Sequence, residues 1–91
     1  MIKTKIKGIR RERLVQKMLE AQGYNCWRLA GSLGIFDLFA LNKNEVRLIQ
    51  VKSSWISPAE KKRIKLLKVP PEVVKEIWIF KKGKEIKQII Y

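Results

Sequence analysis

The chain holds one aspartate, and it stands in the most apolar stretch of the sequence. Asp37 lies between Ile35-Phe36 and Leu38-Phe39, where a carboxylate is costly to bury without a partner. Candidate partners follow in the run Val46–Ser53, which contains Gln50 and Lys52. Asn42-Lys43-Asn44-Glu45 between the two runs reads as a tight hairpin turn. If Asn42 and Glu45 close it symmetrically, Asp37 faces Gln50, with opposed Cβ atoms about 5 Å apart. Lys52, two residues on, shares the face of Gln50. A turn of another length would slip the register and dissolve the group. Glu12, on the edge of a helical apolar face, offers a second carboxylate. Two carboxylates, an amide oxygen and a lysine make a site for a hard cation such as Mg²⁺ or Mn²⁺. A lysine there can orient a water, help deprotonate it, or stabilise a pentavalent phosphate. Plainer readings stand beside each: a solvated Asp37 or Gln50, a Lys52 that is one lysine among many, a Glu12 paired along its own helix with Gln16.

The elements that must position these residues are legible. Residues 9–22 carry Leu14, Val15, Met18 and Leu19 at helical spacing, and Gly23 supplies a stop. Three strand-like runs follow, residues 24–30, 35–41 and 46–53, with Gly31 and Gly34 before the second. A second helix starts at Ser57, which has capping-box spacing to Glu60 and Pro58 in the first helical position. It runs to about Lys68, ahead of Pro70-Pro71. Residues 74–81 and 85–91 form a closing hairpin around Lys82-Gly83-Lys84. Helix, three strands, helix, two strands predicts an α/β (α+β) domain over residues 1–91: a mixed five-stranded sheet flanked by two helices.

Composition narrows the chemistry. No histidine is present, which removes imidazole bases and imidazole metal ligands. The single cysteine, Cys26, excludes an internal disulfide and a thiolate zinc cage, and reads as a small buried hydrophobe. Lys and Arg number 21 against 8 Asp and Glu, a net charge of +13, which calls for a polyanionic partner, most simply nucleic acid. Arg10, Arg11 and Arg13 cluster near the start of the first helix, where they oppose its dipole but suit a phosphate. Arg28 can reach the same backbone. Lys61, Lys62, Arg63, Lys65 and Lys68 form a second basic run, and Lys81, Lys82 and Lys84 a third. A solvated face is the plainer reading of each. The sequence has no long apolar span and is charged from residue 3, so a membrane or secreted protein is not expected, and a cytoplasmic one is. Trp27, Trp55 and Trp78 read as core or interface, and Trp55 as a dimer contact.

Glu12, Asp37 and Gln50-Val51-Lys52 together resemble the PD-(D/E)xK nuclease signature. The segment Gly8–Ser53, with Arg11-Glu12-Arg13, Gly23-Tyr24, Arg28, Ala30-Gly31-Ser32, Asp37-Leu38 and Val51-Lys52-Ser53, resembles archaeal Holliday junction resolvases and compact virus-type replication-repair nucleases. The resemblance implies a restriction-endonuclease-like core. It implies Glu12 and Asp37 as metal ligands, with Gln50 in the second acid position and the Val51 carbonyl as a further ligand. It implies Lys52 as the catalytic lysine and Ser32 as a loop serine that assists. Two departures stand out: Phe36 replaces the proline before the aspartate, and Gln50 replaces an acid, removing one negative charge from the site.

The expectation is a Mg²⁺- or Mn²⁺-dependent DNA endonuclease, with branched or junction DNA as the substrate implied by the resemblance. A homodimer suits an enzyme that must nick twice. A non-catalytic nucleic-acid-binding module of the same fold is the alternative, and a small RNA-associated protein a third class.

Overall fold

The computed structural model describes residues 2–29, 35–81 and 85–91, with side chains from residue 10 onward. Helix α1 spans Ile2–Ala21, starting seven residues earlier than the run 9–22; Ile2 and Ile6, four residues apart, extend the helical spacing back from Ile9. It ends as expected. Gly23 takes φ of 96°, and the amides of Gly23 and Tyr24 close back onto the carbonyls of Glu20 and Leu19 at 3.0 and 3.1 Å.

The sheet comprises β1 (Asn25–Arg28), β2 (Leu38–Leu41), β3 (Val46–Ser53), β4 (Val73–Phe80) and β5 (Ile86–Ile90), side by side in that order. Only β3 and β4 pair in parallel, joined by the crossover helix α2 (Pro58–Leu66). The mixed, two-helix α+β architecture is the one the sequence implies. β1 and β2 are shorter than their apolar runs, so Asp37 sits one residue before β2 rather than within it.

The turn between β2 and β3 closes symmetrically: the Asn42 amide donates to the Glu45 carbonyl at 3.1 Å, and the Asn42 Oδ1 accepts from the amides of Asn44 and Glu45. Leu38 therefore pairs with Ile49 and Leu41 with Val46. That is the register the site requires.

Alternation along β4 splits the core into two layers. Trp78 joins Val15, Leu19, Cys26, Leu38, Ala40 and Ile49 under α1, while Ile77 and Ile79 join Ile56 and Ile64 under α2. Leu14 departs from expectation, 47% exposed on the flank of α1 beside Arg10, Arg13 and Lys17. From residue 10 onward the fully buried side chains of α1 are Val15 and Leu19, one turn apart. Helix α2 begins with the expected box: Ser57 Oγ accepts from the Glu60 amide at 3.1 Å. Its C-terminal end is held from β4, where the buried Lys75 Nζ donates to the carbonyls of Lys65 (2.8 Å) and Leu67 (2.6 Å).

Candidate active site

The Asp37 amide donates to the Ile49 carbonyl at 2.8 Å, and its carboxylate Oδ2 accepts from the Val51 amide, also at 2.8 Å. Asp37 thus brackets Gln50 across the β2–β3 hairpin, as the register implies. Its pKa is raised, first by burial and then by Glu12. The Val51 hydrogen bond, Lys52 and Arg28 pull the other way.

Gln50 is half-buried, yet its Oε1 is fully buried and has no hydrogen-bond partner among the described residues. A buried carbonyl oxygen left so costs about 1–3 kcal/mol. Lys52, on the same face of β3, reaches across to α2, where its Nζ lies 2.6 Å from Glu60 Oε2. Glu12 pairs with Arg28 at 3.2 Å rather than with its helix neighbour Gln16, which donates instead to the Cys26 carbonyl. Asp37 and Gln50 therefore stand opposite each other in the hairpin register and Lys52 shares the face of Gln50, while Glu12 is fixed from α1 by its pair with Arg28. The backbone of Val51 is among them, but its amide is already engaged by Asp37. Ser32 lies outside the described residues, as do Lys82 and Lys84.

The donor set suits a hard cation: carboxylates from two elements, an amide oxygen in want of a partner, and a backbone carbonyl nearby. Among the described residues no three His, Cys, Asp or Glu side chains gather as a cage.

The basic residues divide between the layers. Arg10 and Arg13 are exposed on α1, and Arg11 lies over the Phe80 ring at 5.8 Å. Arg28, on β1, is tied to Glu12 of α1. Lys62 and Lys65 are exposed on α2, and Lys61 is partly covered. Trp78 is buried, whereas Trp27 is 51% exposed and Trp55 68% exposed. Trp55 follows Ser54, whose φ of 72° is left-handed, so the chain leaves β3 through a bent exit just after Lys52.

Two functional-looking carboxylates escaped the sequence reading. Glu60 was legible only as half of a capping box. Glu76 is wholly buried in β4, where it meets Arg47, Trp78 and Gln88. A charge inside the apolar run of residues 73–80 is the same signal that singled out Asp37, and it was open to the same argument.

A model of the archaeal Holliday junction resolvase (Hjc) family matches residues 3–89. A solved structure of Archaeoglobus fulgidus Hjc, described as a Holliday junction resolvase from an archaeal hyperthermophile, is similar with a TM-score of 0.72. The two are 20% identical over 91% of this chain and 71% of that one. At that identity the likeness establishes the fold, the restriction-endonuclease-like core expected from the resemblance. No curated protein matches the chain.

Proposed function

The chain belongs to the archaeal Holliday junction resolvase family, a family of nucleases, and on that premise we propose that it is a divalent-metal-dependent DNA endonuclease acting on four-way or other branched junctions. The observation that carries this reading is the buried Gln50 Oε1, which has no hydrogen-bond partner among the described residues, on the residue that the hairpin register sets opposite Asp37. An unsatisfied buried oxygen is uncommon in a folded chain, and an ion that completes it is one physical account of it.

Asp37, Glu12, Gln50 and the Val51 carbonyl would hold Mg²⁺ or Mn²⁺. When bound, the cation lowers the pKa of a coordinated water and shields the charge of the scissile phosphate. Lys52 presents its ammonium on the same face, where it orients the attacking water and balances charge on the phosphate. Glu60 fixes the direction of Lys52, and Arg28, tied to Glu12, faces the DNA backbone at the site's rim. Ser32 is assigned an assisting role by the resemblance. Arg10, Arg11 and Arg13 on one layer, with Lys61, Lys62 and Lys65 on the other, contact phosphates of the junction arms.

The active form is a homodimer related by a two-fold axis, which sets two such sites against one junction. The exposed Trp55 and Trp27 support it, since large apolar side chains left in water mark contact surfaces. Among the described residues no helix is long and apolar enough to cross a membrane. A DNA substrate places the protein in the cytoplasm, with roles in recombination and repair.

A second reading, a non-catalytic junction-binding module, is favoured by one feature, the neutral amide at position 50. Linear, forked and four-way DNA incubated in Mg²⁺, Mn²⁺ or EDTA decides between them. Metal-dependent cutting of the four-way substrate, lost in Asp37→Asn with binding retained, supports the enzyme. Binding in every buffer with no cutting supports the module. Cutting by Asp37→Asn at the wild-type rate removes the proposed site. Sedimentation of Trp55→Ser as a monomer, against a dimeric parent, tests the assembly.

A further inference from the structure

The charges around Asp37 and Gln50 pair off. Arg28 answers Glu12 at 3.2 Å, and Lys52 answers Glu60 at 2.6 Å. What is left is the negative charge of Asp37 beside a neutral amide. Without Glu60, two cations would face two carboxylates, and the site would hold no net charge to attract a dication. We propose that Glu60, from α2, is a positioning residue of this site. It supplies the negative charge that position 50 does not, and it holds the Lys52 ammonium in line with Gln50.

Stability does not account for the pair. Lys52 and Glu60 side chains are 29% and 35% exposed, and ion pairs so open to water contribute little to folding. Nor does helix capping. The box at Ser57 needs the residue three positions on to accept a hydrogen bond from the backbone, which glutamine does as well as glutamate. The charge itself is what glutamine would lose. The Lys52 hydrogen bond and Ser57 together hold the Glu60 carboxyl below its ordinary value of 4.5, so the charge is present wherever the protein is folded near neutrality.

The inference rests on the reading of Asp37 and Gln50 as metal ligands, and its test separates the two. Mn²⁺ binding to the whole protein is measured by electron paramagnetic resonance, without DNA, for the parent, Asp37→Asn, Glu60→Gln and Glu60→Gln/Gln50→Glu. Melting temperatures verify folding of each. Expected is loss of the tight site in Asp37→Asn and about 10–100-fold weaker binding in Glu60→Gln. The double variant, which moves the carboxylate from α2 to β3, is expected to recover parental affinity. Junction cleavage at limiting Mn²⁺ follows the same order. If Asp37→Asn abolishes binding but Glu60→Gln leaves it intact, Glu60 has no part in the site. If Glu60→Gln weakens binding and Gln50→Glu restores nothing, Glu60 does not act by supplying the charge missing at position 50, and the inference is overturned. If the parent binds no Mn²⁺ that depends on Asp37, the metal reading fails and the inference falls with it.

Discussion

Two carboxylates lie inside this sheet and are treated in opposite ways. Glu76, fully buried under α1, takes hydrogen bonds from Arg47, from the Trp78 indole at 3.1 Å and from Gln88 at 2.5 Å. Arg47 also lies over the Tyr24 ring at 5.0 Å, and the Tyr24 hydroxyl donates to Glu45. Every charge there is answered by a side chain fixed in the fold. The Glu76 carboxylate in turn holds the Arg47 pKa above its ordinary value. At Asp37 one backbone amide donates, and the neighbouring Gln50 oxygen has no partner among the described residues. A saturated polar cluster in the deep core stabilises and specifies the fold; an unsaturated one nearer the surface keeps its valence for something else.

The comparison breaks first at Glu76. Glu76→Ala leaves the Arg47 guanidinium without its counter-charge and is expected to cost about 3–5 kcal/mol in denaturant unfolding. The melting temperature should fall roughly 4–8 °C per kcal/mol lost. Replacing the pair, as in Arg47→Met/Glu76→Leu, should recover much of this, because two buried charges are then removed together. Molecules that remain folded should cut at the parental rate. A folded Glu76→Ala that binds junctions but cannot cut would place Glu76 in the chemistry and erase the contrast.

Asp37→Asn should act with the reverse sign. Cleavage is expected to fall by at least about a hundredfold, as when a positioned charge is removed from a reacting centre. Stability should rise. The folded Asp37 pKa lies above the ordinary 3.8, so folding disfavours the ionised form. That penalty is present above the folded value and vanishes as pH falls through 3.8, where the acid is neutral in both states. In EDTA, the melting temperature of Asp37→Asn should exceed that of the parent at pH 7, and the two should converge toward pH 3.5. Equal melting temperatures at both pH values would mean that Asp37 is not held at the expense of the fold.

Gln50→Glu sharpens the contrast from the metal side. A third carboxylate adds ligand charge, so half-saturation of cleavage should move to lower Mg²⁺. An unmoved midpoint would show that Gln50 is not a ligand.

The register of the β2–β3 hairpin was readable because the Asn42–Glu45 turn admits one symmetric closure, and that closure alone put Asp37 beside Gln50. Gly23, Ser57 and Pro58 marked helix ends through local backbone chemistry, and the structure follows them. What failed to show was long-range. The Lys52–Glu60 and Glu12–Arg28 pairs join residues on different elements, and no periodicity encodes which lysine meets which glutamate. The Arg47–Glu76 pair is 29 residues apart in sequence and depends on parallel pairing of β3 with β4. The start of α1 was missed although Ile2, Ile6 and Ile9 stand at helical spacing, because Lys3, Lys5, Lys7 and Gly8 between them make the segment read as a charged lead-in.

The smallest expected effect tests the least structured part of the comparison, the basic surface. Lys62 and Lys65 are exposed on α2 and form no ion pair among the described residues, unlike Lys52 and Arg28. A solvated lysine with no partner in the fold is free to displace a counterion from DNA. Each phosphate contact should contribute about 0.9 to the slope of log K against log salt on duplex arms. Lys62→Ala and Lys65→Ala should each lower the junction-binding slope by about that amount, leaving the cleavage rate at saturating DNA unchanged. Slopes that do not change would mean that the arms lie against the α1 layer alone, with Arg10 and Arg13. The net charge of +13 would then divide into one face that holds DNA and one that only keeps the protein in solution.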